Sequence, residues 1–498
     1  MLNISKQQFI EQYSTEKVVS VNRKIVLDVA TPVSVMHRFL DERYFVFLES
    51  ISEHTKYDRF SFFAFDPYIV LNAYPDKITE EYEDGHIETV KENLYDYLDT
   101  LLKKYHYISD SMQPFQAGIL GYMSYECVQY LENINFPAER ELDTPLATFI
   151  MPKFVLIFDN LFNTLTLVRN VYTDRHQTED ASALYDTVLQ QLDQLEKKIF
   201  TPLKSVILPF ELIDRNVNIP YHCNVDEKSF MSQVEKCKKY IKDGDIFQIQ
   251  VSRRCHIDLV EDDLNKVMLY RYLRYQNPSP FLFYLKLQED AFIGASPEIL
   301  VNVDDRVMTI RPIAGTRKRF SNSRSEKEIE QELINDEKEK AEHIMLVDLA
   351  RHEIGHACKY GSVNVNELMV VEKYSHVIHM VSDVTGELKD SKSAIDALKY
   401  GFPAGTVTGA PKIRAMEIIS ELETKQREFY SGGIIFLDFL GNLKSALTIR
   451  SMYVKNNRAY TQAAAGIVAD SIPEMEYKET VNKLRSCLSA MHKFRKKL

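Results

Sequence analysis

Two pairs of glutamates, Glu339/Glu342 and Glu476/Glu479, stand at i, i+3 spacing in segments with helical periodicity. That spacing puts each pair on one helix face. Four carboxylates meeting from two helices repel one another unless a cation lies between them. A hard divalent ion with oxygen ligands would make such a meeting favourable. Acidic residues at this spacing are also common on plain solvated helices, so the surrounding residues must decide. Several could do chemistry: Glu298 in GASPE, His379 in YSHVIH, Arg450 in ALTIRS, and Lys483 one turn past Glu479.

The elements that must position these groups can be read from periodicity. Residues 92–105 and 183–199 have amphipathic helical patterns. DERYFVFLES and DRFSFFAFDPYIVLNAYPDKI read as strands, and residues 150–170 as a hairpin. Pro202, Pro209 and Pro220 mark a connector over 201–222. Beyond it, a helix over 229–245 stops near Gly244, and IFQIQVSRRC follows as a strand. Its alternation sets Phe247, Ile249 and Val251 on one face and Gln248, Gln250 and Ser252 on the other. Short strands fill 281–312, a long helix runs from about 324 to 357, strands cover 430–468, and a last helix covers 473–490. The Gly/Pro-rich loop GFPAGTVTGAPK enters a helix with Pro411 suited to its first turn. Strands and helices do not alternate strictly, which predicts an α+β chain. The expected organisation is an N-terminal region (1–200), the connector, and a catalytic region (223–498).

With 498 residues and a net charge of −11, the chain expects no nucleic-acid or anionic-membrane partner. The N-terminal stretch has no apolar h-region, and no apolar run is long enough to span a bilayer. Six scattered cysteines without a C-x-x-C pair suit thiols in a reducing cytoplasm.

The strings GDIFQIQVSRR, NPSPF, GASPE, RPIAGTRKR, EKAEHIMLVDLAR, VEKYSHVIHMVS, PAGTVTGAPKIRAM, ALTIRS and QAAAGIVADSIPEMEYKETVNK together resemble the chorismate-utilising enzymes, and among them the large subunits of anthranilate synthases. The resemblance is dense from about 225 to 490 and looser before it. It implies two large antiparallel β-sheets packed as a sandwich with helices outside. It also implies chorismate as substrate and Mg²⁺ as cofactor, with Glu342 and Glu479 as direct ligands and Glu339 and Glu476 as outer ones. Glu298 would be the acid that protonates the leaving hydroxyl, and His379 would assist loss of pyruvate, while His376 reads as merely packed. Arg450, with the backbone at Ala465 and Gly466, would hold a substrate carboxylate. Gly315, Thr316, Thr406, Tyr430 and Lys483 would line the pocket.

Two positions address the nucleophile. Members that add water look to a lysine where this chain has Gln248, and a glutamine cannot serve as a general base. Many aminodeoxychorismate synthases use a lysine where this chain has Ala314, which has no nucleophile to offer. Ammonia adding directly to the ring is therefore expected. The chain has no G-x-C-x-G glutaminase motif, so a separate glutamine amidotransferase subunit is an expected partner. Glu49 and Ser50, with Pro280, Phe281 and Leu282, resemble a binding segment for inhibitory tryptophan, and the chain itself contains no tryptophan. Two departures from the family pattern stand out: His352-Glu353 in place of an Asn-Asp pair, where a role in supporting the helix end is expected, and Ala464 in place of a glycine. An aminodeoxychorismate synthase component and a non-catalytic tryptophan-binding protein on the same fold are the alternatives.

Overall fold

The computed structural model describes residues 2–51, 59–108, 115–174, 180–202, 219–259, 263–319, 324–373 and 377–494. Every ladder between its named strands is antiparallel. The expected sandwich forms because single strands feed two cores. In the strand Tyr44–Glu49, Tyr44 and Val46 point into an aromatic core with Phe283, Phe292, Phe436 and Tyr453. Phe45 and Phe47 point the opposite way, into a core covered by the helices Ala181–Phe200, Asp263–Gln276 and Pro473–Lys493. This period of two places an apolar layer on each side of the sheet. Phe47 stacks on Phe63 at 4.5 Å between centroids, a contact worth about 1 kcal/mol beyond its area. A further core, with Leu98, Val347, Ile354 and Leu398, lies under other helices.

Strands from the two ends of the chain share ladders. Tyr44–Glu49 lies beside Phe281–Leu287, and Gly118–Met123 beside Gly433–Asp438. Most of the expected connector, residues 203–218, is outside the described residues. Among the described residues no helix is long and apolar enough to cross a membrane.

Four local expectations are corrected. The long helix over 324–357 is two, Glu326–Asn335 and Glu337–Ala357. Asp336 separates them, because its side chain accepts from the amides of Lys338 and Glu339 and caps the second helix. Phe247 is 72% exposed and precedes its strand, which begins at Gln248. Pro411 is the N-cap of the Lys412–Leu422 helix, with extended backbone (ψ 141°), and lies just outside the first turn. Finally, the cysteines are not all isolated thiols. The register sets Cys223 opposite Cys255, with Cα atoms 4.1 Å apart, and the two are disulfide-bonded. A separation of 32 positions hides that pairing in the sequence. Cys127, Cys237, Cys358 and Cys487 are buried thiols.

Candidate active site

Glu298 follows the strand Asp290–Ser296 and is 7% exposed. Burial pushes its carboxyl up to about 7, against the lowering effects of a Thr406 hydrogen bond and the Lys483 charge. Thr406 Oγ1 donates that bond to Glu298 Oε1 at 2.6 Å. Thr406 stands on a short 3₁₀ turn, Gly405–Val407, packed so closely on the Glu337–Ala357 helix that a Cβ at Gly405 would collide with Leu349. The cleft beside Glu298 is also lined by Arg311, Leu349, Glu353, Gly405 and Thr406.

His379 lies on the strand Val377–Glu387, opposite Thr316 in the ladder with Ile313–Lys318. Its Nδ1 is 3.2 Å from the Gly315 carbonyl oxygen. A carbonyl can only accept, so Nδ1 carries the proton and Nε2 keeps its lone pair. Burial lowers the imidazole to about 4, so it is neutral near pH 7. His376 lies outside the described residues. Gly315 has φ +64°, and a Cβ there would stand 3.2 Å from Glu339 Oε2. Only glycine meets both conditions without strain.

Arg450 corrects another expectation. It is not within a strand but in the turn between Leu443–Leu447 and Ser451–Lys455, with φ +51°. Its Nη1 donates to the Lys483 carbonyl at 2.8 Å, and burial lowers the guanidinium's pKa. Lys483 Nζ pairs with Glu479 at 2.6 Å and donates to the Ala464 carbonyl at 3.0 Å. The Ala464 amide donates to the Tyr430 hydroxyl at 2.9 Å. Ala464 is 2% exposed and its methyl belongs to the aromatic core. Ala465 and Gly466 follow on the strand Arg458–Ile467, opposite Val251 and Gln250. A Cβ at Gly466 would stand 2.8 Å from Gln250 Nε2 and 3.2 Å from Gln248 Nε2, so the Gln248 amide borders this backbone.

The two glutamate pairs lie within electrostatic reach of one another. Burial raises the Glu342 carboxyl, and the nearby charges of Glu339, Glu479 and Glu476 raise it further. Glu476 is raised by burial and by Glu479. Glu339 is held by Arg317 at 2.8 Å, and Arg317 also pairs with Asp336 at 2.7 Å. Among the described residues no three His, Cys, Asp or Glu side chains are poised around one point as metal ligands. As a donor set, mutually repelling and partly desolvated carboxylates fit a hard divalent cation, whose charge would relieve the repulsion.

The Glu49 segment meets its expected partner: Glu49 pairs with Leu282 in the ladder, and the Ile51 amide donates to the Ser279 carbonyl at 3.1 Å. Ser50 follows the strand, and Pro280 is buried. Glu49 is buried and accepts from Arg274 Nε at 2.5 Å and from the Tyr270 hydroxyl. Phe281 lies opposite Ser296, whose hydroxyl accepts from the Glu298 amide at 3.3 Å. One strand thus separates this segment from the Glu298 cleft.

Three supporting contacts have no signature in the sequence. Arg317 clamps Glu339. Lys412 Nζ pairs with buried Glu353 at 2.5 Å and donates to the Pro403 carbonyl at 3.1 Å, tying the Thr406 loop to the Glu337–Ala357 helix. Arg427 donates to the carbonyls of Val407 and Gln250, each at 2.7 Å. Glu353 therefore does more than support the helix end.

Comparison with known proteins follows the same lines. Residues 44–489 match the family model of chorismate binding enzymes. Anthranilate synthase component 1 of Acetivibrio thermocellus is 37% identical over 477 residues, covering 95% of each chain. That of Synechocystis is 38% identical, covering 99% of each. The crystal structure of anthranilate synthase component I from Streptococcus pneumoniae superposes with a TM-score of 0.74 at 32% identity, covering 93% of this chain and 99% of that one. The menaquinone-specific isochorismate synthase of Escherichia coli shares the fold, with a TM-score of 0.68 at 16% identity.

Proposed function

The chain belongs to the chorismate binding enzymes, and from that premise we propose that it is the chorismate-converting component of an anthranilate synthase. In this reading it takes chorismate and ammonia to anthranilate, pyruvate and water. The observation that carries it is the buried Glu298 carboxyl, held by Thr406 with a pKa of about 7. Such a group keeps a substantial protonated fraction at neutral pH, as a general acid requires.

Ammonia adds at ring C2 while the hydroxyl leaves C4, and Glu298 gives that hydroxyl its proton. Loss of the C2 proton and of the enolpyruvyl group then aromatises the ring. His379, neutral and with an unprotonated Nε2, is suited to accept a proton in that step. Arg450 presents a planar fork fixed on the Lys483 carbonyl, which suits a substrate carboxylate. Lys483 adds positive charge on the same side. Neither Gln248 nor Ala314 offers a base or a nucleophile, which favours external ammonia over water or a covalent lysine adduct.

Glu342 and Glu479 would hold Mg²⁺ directly, with Glu339 and Glu476 through its waters. When bound, the ion supplies a Lewis acid for the ring carboxylate. For the ion to bind, Glu479 must exchange its Lys483 contact and Glu339 its Arg317 contact, at least in part. A glutamine amidotransferase subunit would supply the ammonia, and tryptophan would inhibit from the Glu49 and Pro280–Leu282 segment.

Incubation with chorismate, ammonium and Mg²⁺ tests the assignment. Fluorescent anthranilate forming without a separate lyase is the expected result. A product that needs a lyase to give 4-aminobenzoate would move the chain to folate synthesis. No turnover with tight tryptophan binding would make it a regulatory protein.

A further inference from the structure

The C-terminal end of the Glu337–Ala357 helix carries two histidines, His352 and His356, at i, i+4 spacing and both exposed. Their Nε2 atoms are 3.1 Å apart. The rings are nearly perpendicular, with centroids 4.6 Å apart. On its other side the His356 ring stacks on Tyr400 at 5.2 Å and 13° between planes, which fixes one arm of the pair. Neither histidine has a part in the chemistry assigned to the cleft.

Spacing alone would not make a site here; the convergence of the nitrogens does. Two imidazole nitrogens 3.1 Å apart, each about 2.1 Å from an ion, subtend roughly 95° at it. That angle belongs to adjacent positions of a square-planar or octahedral centre. Without an ion, the same separation is that of an N–H···N bond between two neutral imidazoles. An ion replacing the shared proton would sit off the line between the two nitrogens, so each ring must turn by roughly 40° to aim its lone pair at it, while the nitrogens keep their separation. Burial, His352 and Lys389 all lower the proton affinity of His356, which keeps its lone pair available near pH 7. Lys389, which donates to the His356 carbonyl at 2.9 Å, is the nearby positive charge that opposes binding. The helix C-terminus, with its partial negative charge, favours a cation.

We propose that His352 and His356 form a two-histidine chelate for a divalent first-row transition ion of the copper, nickel or zinc class, with water in the remaining positions. Imidazole nitrogen prefers these ions to magnesium. The pair lies about 15 Å along the helix axis from Glu342, at ten residues and roughly 1.5 Å per residue, so the two sites are independent. The inference does not depend on the reaction proposed above.

Calorimetric titration of the full chain with Ni²⁺, in a large excess of Mg²⁺, tests it. One equivalent should bind despite the Mg²⁺. His352→Asn and His356→Gln should each weaken binding at least tenfold; His352→Asn should leave the metal-free melting temperature unchanged, since that side chain is exposed, whereas His356→Gln also loses the Tyr400 stack. The electron-spin spectrum of the Cu²⁺ form should show two equatorial nitrogens in the wild type and one in either variant. Absence of Ni²⁺ binding, wild-type affinity in either variant, or displacement of Ni²⁺ by Mg²⁺ would each overturn the proposal.

Discussion

Thr406 donates a 2.6 Å hydrogen bond to Glu298, across 108 positions of sequence. The bond joins a loop following one helix to the end of a strand, and it stabilises the ionised carboxyl while burial opposes ionisation. The balance leaves the group near pH 7, where it can both hold and release a proton.

Activity should therefore fall as pH rises through about 7, as Glu298 loses its proton. Glu298→Gln should lower kcat by about 10²–10⁴-fold and abolish that limb. Thr406→Val removes a donor to the charged form, so the limb should move to higher pH. The folded carboxyl is raised above its ordinary value, so its contribution to stability is complete below about 4.5 and is lost as pH rises through about 7. Denaturant midpoints of the wild type and Glu298→Gln should diverge across that window. A profile unchanged by both substitutions would remove Glu298 from the acid role.

Glu342→Gln should act with opposite signs in two measurements. Without metal, removing one of four repelling carboxylates should stabilise the chain by about 0.5 kcal/mol, read as a small rise in melting temperature. With chorismate present, the Mg²⁺ concentration giving half-maximal activity should rise at least tenfold. An unchanged Mg²⁺ requirement would argue that the carboxylates do not hold the ion.

Breaking the Lys412–Glu353 pair should be costly. Lys412→Met leaves the buried Glu353 carboxylate uncompensated, a loss of about 3–5 kcal/mol by chemical denaturation. Lys412→Met combined with Glu353→Leu should recover part of it. If the single and double variants melt alike, the pair is not coupled.

Glu49→Gln should weaken tryptophan inhibition at least tenfold while leaving kcat/KM for chorismate within about threefold in the absence of tryptophan. Loss of a charge-assisted bond to Arg274 should also cost about 1–3 kcal/mol of stability. An inhibition curve identical to the wild type would place tryptophan elsewhere.

Much of this protein was legible before any fold. The aromatic and β-branched run in FVFLES and the period of 3.6 around Leu94, Leu98 and Leu101 set the element types, because a strand buried on both faces reads as a continuous apolar run and a helix buried on one face as a periodic one. The i, i+3 glutamates and the motif strings marked the candidate acid, the candidate histidine and the candidate metal ligands. The segment chemistry at Asp336 was harder to read. Capping depends on a side chain reaching backbone amides, and a helical pattern runs through such a break unmarked.

What the sequence by itself determined was the inventory: which carboxylates, which imidazole, and the absence of a base or nucleophile at Gln248 and Ala314. Tertiary structure alone decided the pairings that set how those groups behave. Arg317 on Glu339, Lys412 on Glu353, Cys223 on Cys255 and Thr406 on Glu298 each join residues that share no local pattern. The proton affinity of Glu298 belongs to this second class. It arises from removal of the carboxyl from water and from one long-range donor, and neither is encoded within a few residues of position 298.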